Sequence, residues 1–289
     1  MESSSDRRLA MHHAIRGLIL GGFAFYIIRL VRTDSLTLYI APKMALYVKL
    51  SALGLYVVAA VQLFQAYRFW MGQREAAECD CGHPPSGPLW KNVAVYALFA
   101  APLLVGFFTP DTTIGSAMAS KKGMNLSAAS SVKPKSGDAL FPSDEYSEAY
   151  ADYAKRIYKQ PAIEVTEKSY LEILTTLDLY LDQFVGKKLT ISGFVYRDDT
   201  IPAGSFVLGR FAVQCCTADA MPYGVMVSGG PDLREYPNDT WLRVTGTLVK
   251  ADYYGSEIMG LKLEKAEKIE PAAEPYVSPD SDFGAAAPE

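Results

Sequence analysis

The chain has 289 residues, 49% of them apolar and 21% charged, with a net charge of −4 and four cysteines. That length allows roughly two domains, and cysteines this sparse, in two tight pairs, exclude a disulfide framework. The charge is unevenly divided: residues 1–110 carry ten Lys/Arg against six Asp/Glu, and residues 111–289 carry 18 against 26. A basic, apolar first part joined to an acidic, polar second part points to a membrane anchor with an appended soluble domain. The acidic part argues against a nucleic-acid partner, because such binding draws its affinity from Lys and Arg neutralising phosphates.

In chain order, apolar runs cover residues 14–31, 44–70 and 90–108. A spanning helix needs about 20 largely apolar residues, so the three runs predict a three-helix anchor over residues 1–110; the competing reading is a bundle of buried soluble helices. No small-residue cleavage pattern follows the first run, which therefore reads as a retained span rather than a signal peptide. Tyr39, Tyr67, Trp70 and Trp90 fall near the expected interfaces. Arg16, Arg29, Lys49 and Arg68 lie in or near the run ends, where long side chains snorkel to headgroups. Loop charges tie at six cations on each side, and only the basic run before the first span favours an inside amino terminus, hence an extracytoplasmic soluble domain.

The loop "REAAECDCGHPPSGP", residues 74–88, carries Cys79, Cys81 and His83. Thiol and imidazole are ligands suited to zinc or copper. Three such donors fall short of a closed structural zinc site. The loop is either a metal-handling segment, with zinc as the candidate ion, or a Pro/Gly-bounded connector.

Residues 111–143, rich in Ser, Ala, Gly, Pro and Lys, read as a linker, and residues 144–277 as a folded domain followed by a disordered tail over 278–289. Helical spacing recurs over residues 144–160 and through "EKSYLEILTTLDLYLDQFVG". The period then switches to two, predicting five strands in "KKLTISGFVYR", "SFVLGRFAVQC", "GVMVSG", "TWLRVTGTLVK" and "SEIMGLKLEKAEKI". Five short strands with Gly at bends fit a small barrel of the oligonucleotide/oligosaccharide-binding (OB) type, the alternative being a β-sandwich fragment. The fold class is thus an α+β membrane protein: transmembrane helices, one or two soluble helices, and an OB-like barrel.

The second cysteine pair, Cys215–Cys216, ends the second predicted strand. Continued alternation would put Phe211, Val213 and Cys215 on the core face and Arg210, Ala212, Gln214 and Cys216 on the other. Adjacent Cα atoms lie about 3.8 Å apart, below the usual disulfide span, so the pair is a poor staple. Its chemistry, if any, is metal contact or thiol redox. Asp219 is then a third ligand, and Arg210 a partner that holds Asp219 or lowers the pKa of Cys216. Otherwise the pair is a packed strand end with Asp219 capping the turn. Residues 111–289 contain no histidine, which excludes a Ser/His/Asp or Cys/His site there, and the chain has no phosphate-binding Gly loop. No catalytic residue is expected.

The short multi-helix anchor, "PDTTIGSAMASKKGMNL", "GKKLTISGFVYRDD", "FVLGRFAVQCCTADAMPYGVMV", "WLRVTGTLVK" and "IEPAAEPYV" together resemble the YcgQ-like family of bacterial two-component permease subunits. The Arg-Phe…Cys-Cys…Ala-Asp-Ala stretch is the most specific part of the match. The resemblance implies a non-enzymatic accessory subunit in the cell membrane, accompanying a larger multi-spanning permease subunit. Its soluble domain would bind a substrate, ion or partner through Arg210, Phe211, Cys215, Cys216 and Asp219. The alternative is a membrane-anchored metal- or thiol-dependent redox or sensing protein using the cysteine pair. Some members of the family look rich in histidine in the loop between membrane helices, where this chain has "ECDCGH".

Overall fold

A computed structural model describes residues 2–72, 89–126, 140–230 and 236–284. The chain divides into two compact units, Met1–Thr112 and Thr113–Glu289.

The first unit holds three helices, α1 (Glu2–Arg32), α2 (Ala45–Trp70) and α3 (Leu89–Phe108). The segments Arg7–Arg32, Pro42–Trp70 and Trp90–Phe108 are each long and apolar enough to cross a membrane. Between α1 and α2 the seam is made of small residues at heptad spacing. Ala10, Gly17 and Ala24 are buried on α1, and Ala52, Ala59 and Ala66 on α2. Gly21 faces the methyl of Ala59, and a Cβ on Gly17 would lie 2.8 Å from Leu63. Small residues let two backbones approach closely, which is how helices associate where lipid removes the hydrophobic incentive. Polar bonds also tie the bundle, among them His12 Nδ1 to the Tyr96 hydroxyl at 2.8 Å and His13 Nδ1 to Gln62 Oε1 at 2.6 Å. Helix α3 touches α1 through Leu103 on Gly22 and Gly106 on Tyr26. The remaining surface of α2 and α3 is apolar and exposed, with Leu50, Leu53, Val57, Phe64, Leu98, Phe99 and Leu104 turned outward. In water such a face would be an aggregation surface; against acyl chains it is the ordinary surface of a span.

The second unit contains a mixed seven-stranded sheet. Strand β2 (Lys188–Tyr196) pairs antiparallel with β3 (Ser205–Ala212) and with β5 (Trp241–Tyr253). β3 pairs antiparallel with β4 (Met221–Ser228), β4 pairs parallel with β6 (Ser256–Lys268), and β6 returns antiparallel to β5. These five strands correspond to the five expected, and the β2–β3 pairing joins the two ends of their series. Two short strands add to the rim, each in parallel: β1 (Ala162–Glu164) on β2, and β7 (Tyr276–Val277) on β3. Neither shows a period-two signal, since two or three residues are too few to carry one.

Glycines govern the curvature. Phe194 registers with Gly209, and Gly209 with Gly224. A Cβ on Gly193 would run into the carbonyl oxygen of Gly209, and one on Gly224 would lie 2.9 Å from the carbonyl oxygen of Leu208. Adjacent strands therefore approach more closely than side chains permit. The core packs Leu189, Ile191, Phe206, Leu208, Val225, Val227, Leu242 and Leu261 of the sheet against Ile173, Leu177 and Phe184 of the helices.

Three expectations change in detail. The second of the two helices expected before the strands is itself two, α6 (Tyr170–Leu179) and α7 (Leu181–Phe184), broken at Tyr180, whose φ of −118° and ψ of 34° leave the helical region. The Tyr180 ring packs edge-on against Phe141 and its hydroxyl donates to the Pro142 carbonyl at 2.9 Å, so tertiary packing breaks the periodic run. Within the expected linker lies a short helix, α4 (Ser116–Lys122), followed by a bridge from Asn125 to Tyr223 on β4. Residues 278–284, expected as tail, turn back onto the unit. Ser169 donates to Asp280 at 3.2 Å, and the Phe283 ring sits 4.9 Å from that of Tyr150 on α5 (Glu148–Tyr158).

Candidate functional site

Strand β3 ends at Ala212, three residues before the first cysteine of the pair. Val213 still donates its N–H to Val277, but the chain then leaves the sheet and enters a 3-10 turn over Thr217–Asp219. Strand alternation therefore stops governing side-chain direction, and Cys215 is exposed rather than in the core, while Cys216 is half-buried.

What replaces the ladder is the Asp219 carboxylate. Its Oδ1 accepts the N–H of Gln214 at 2.8 Å; its Oδ2 accepts those of Cys215 at 2.8 Å and Cys216 at 3.1 Å. Three backbone donors that the sheet no longer satisfies are thus paired by one side chain, a capping arrangement of the Asx kind. The same Oδ2 accepts a hydrogen bond from the Cys215 thiol at 2.7 Å, and the two sulfurs lie 3.8 Å apart. The turn is held from its other side by α4: Lys122 Nζ donates to the Ala218 carbonyl at 3.1 Å and to the Ala220 carbonyl at 2.6 Å.

The electrostatics follow. Desolvation opposes ionisation of Asp219, yet the thiol and the three N–H donors outweigh it and hold the carboxyl far below the usual carboxylate range. The Asp219 carboxylate, then the neighbouring Cys216 thiol, push the Cys215 thiol up to about 11. A nucleophilic or redox-active cysteine needs a depressed pKa, so Cys215 as placed here is a poor nucleophile. The side-chain donors of Cys215, Cys216 and Asp219 all lie within 4.8 Å of one another, the one such metal-competent cluster among the described residues.

The other two expected site residues belong to the fold. Arg210 is not on an outward face with Cys216: it is 1% exposed. Its Nε donates to the Pro275 carbonyl at 3.2 Å, one terminal nitrogen to the Glu274 carbonyl at 2.7 Å, and the other to Glu167 at 3.3 Å. The guanidinium lies 5.0 Å from the centre of the Trp241 ring. It fastens the segment before β7 to β3 and is turned to these partners rather than to Asp219. Phe211 is buried and stacks on Phe194 at 5.5 Å. Cys79, Cys81 and His83 lie outside the described residues.

Sequence reasoning missed Lys122, whose bonds to the turn cross almost one hundred positions of chain; a "KKG" in a polar stretch carries no signal for that. It also missed Glu172 on α6. This residue is 5% exposed, its Oε1 accepts the N–H of Asp280 at 2.8 Å, and its Oε2 is without a hydrogen-bond partner. It sits within an otherwise helical apolar pattern that hides it.

Comparison with known proteins places these parts in one family. The DUF1980 N-terminal domain matches residues 15–125 and the DUF1980 C-terminal domain residues 140–279. UPF0703 protein YcgQ of Bacillus subtilis (strain 168) is 26% identical over 284 residues, which is 91% of this chain and 98% of that protein. A Streptococcus mutans serotype c protein, named "Putative two-component membrane permease complex subunit", is 26% identical over 165 residues, 52% of this chain and 60% of its own length. With both domains present in order and the YcgQ match running almost end to end, the chain belongs to the YcgQ-like DUF1980 family.

Proposed function

We propose that this protein is a non-enzymatic accessory subunit of a membrane permease. The observation that carries this reading is the similarity over 52% of this chain to a relative named as a permease complex subunit, within a family whose YcgQ member matches almost end to end. The three apolar helices pack against a larger multi-spanning permease subunit. Helix α3 is suited to that role, because Trp90, Leu98, Phe99, Leu104 and Phe108 stay uncovered within its own unit. The soluble unit lies outside the cytoplasm, as the basic run before the first span favours. Its five central strands follow the order β2-β3-β4-β6-β5 with the β4–β6 pair parallel, and we read them as an OB-type barrel. The turn of Cys215, Cys216 and Asp219 is its binding element for a substrate, ion or partner loop, with Arg210 and Phe211 securing the strand that bears it. The thiol-redox alternative has less support, since the Asp219 carboxylate keeps the Cys215 thiol protonated.

Co-purification from native membranes tests the reading. A stoichiometric multi-spanning partner supports it; a clean monomer overturns it. Protease added to intact cells tests orientation, with cleavage after residue 113 expected and full protection the contrary result.

A further inference from the structure

We propose that Cys215, Cys216 and Asp219 form an open, three-ligand site for a zinc-class divalent ion. Its use as a transfer station rests on the permease-subunit reading, whereas the site itself rests on geometry alone. A tetrahedral zinc ion with Zn–S bonds of about 2.3 Å places two thiolates about 3.8 Å apart. The sulfurs of Cys215 and Cys216 already stand 3.8 Å apart. A linear two-thiolate ion would demand about 4.6 Å at the same bond length, which the present spacing does not match. The third donor is Asp219 Oδ2, 2.7 Å from the Cys215 sulfur across a thiol hydrogen bond. An ion taking the place of that proton requires this pair to open to roughly 3.5 Å for a Zn–O bond of about 2.1 Å, a small side-chain rotation.

The carboxylate is oriented before any ion arrives. The N–H groups of Gln214, Cys215 and Cys216 fix it, as second-shell donors fix metal-binding carboxylates elsewhere. The nearby cation, Lys122, is engaged by the carbonyls of Ala218 and Ala220 and leaves the carboxylate to the thiols. The cap is reciprocal, the Asp219 carboxylate accepting from the Cys216 backbone and the Cys216 side chain accepting from the Asp219 backbone; the exposed sulfur of Cys215 is no part of that box. Binding converts two thiols to thiolates and releases two protons to solvent, leaving Zn(II), two thiolates and one carboxylate with a net charge of −1. Three protein ligands on a surface turn leave the fourth position to water or an incoming donor. That is the pattern of an exchanging site rather than a closed structural one.

The test uses the full chain in detergent, with Cys79→Ser, Cys81→Ser and His83→Ala combined so that Cys215 and Cys216 are the remaining thiols. Cobalt(II) is the probe. One equivalent is expected to give sulfur-to-cobalt charge-transfer absorption, bleached by zinc(II). Cys215→Ser and Cys216→Ser are each expected to weaken cobalt binding at least about tenfold, and Asp219→Asn to do so with the thiolate absorption kept. Absence of that absorption in the background protein overturns the site. Unchanged affinity in Asp219→Asn overturns the three-ligand set. Retention of the multi-spanning partner is scored on the same preparations. The site can therefore fail while the subunit reading stands, and a lost partner with intact cobalt binding removes the subunit reading alone.

Discussion

Arg210 is a charge with almost no solvent, paired with two backbone carbonyls and with the exposed carboxylate of Glu167. Removing it strands the carbonyls of Glu274 and Pro275 and opens a cavity beside Trp241. Arg210→Ala is expected to cost about 1–3 kcal/mol, read by denaturant unfolding of the detergent-solubilised chain. Glu172 is the opposite case. Desolvation raises its pKa, outweighing the N–H of Asp280 that favours the carboxylate. A carboxyl whose folded pKa exceeds its unfolded value binds its proton more tightly in the native state. Its contribution is therefore intact below the unfolded pKa, and stability falls as pH rises through the folded pKa. Glu172→Gln keeps the Asp280 acceptor and removes the buried charge. It is expected to raise the melting temperature more at pH 8 than at pH 5 and to flatten the pH dependence between them; an equal shift at both would refute the assignment. At this scale the sequence marks the cysteine pair and Asp219 as unusual. It misdirects Cys215, because alternation does not continue past the end of β3, and Arg210, because both faces of β3 are buried and neither opens outward.

Among the elements, the α1–α2 seam has the sharpest sequence signature after the fact: alanine or glycine every seventh residue on both helices. Seven-residue spacing keeps one narrow stripe in register along a left-handed crossing. Filling it should part the helices. Ala59→Leu places a branched side chain against Gly17 and Gly21 and is expected to cost about 1–3 kcal/mol. Val57→Leu, on the exposed face of α2, should be close to neutral in the same unfolding measurement. The five long strands were legible because each runs eight residues or more, enough to show a period of two. β1 and β7 exist through their neighbours' hydrogen bonds rather than any pattern of their own. The helix break at Tyr180 likewise answers to Phe141 and Pro142, distant in sequence.

For the molecule as a whole, the division of charge and hydropathy foreshadows the two units, Met1–Thr112 and Thr113–Glu289. Three helices with outward apolar faces require an apolar surrounding. The full chain is expected to elute as a single species only with detergent present and to aggregate on its removal, as size-exclusion chromatography will report; a monodisperse chain in plain buffer would refute the membrane assignment. Composition and periodicity alone determined the three spans, the acidic second unit and its five principal strands, because burial in lipid or in a sheet imposes a repeating pattern on consecutive residues. The tertiary structure alone decided that Asp219 takes over the backbone donors after β3, that Lys122 reaches the turn from the expected linker, and that Arg210 turns inward. The last two depend on groups brought together across tens of residues, where no local period records which partner a side chain will meet; the first is local in sequence and depends on where β3 stops pairing, which a strand period does not record.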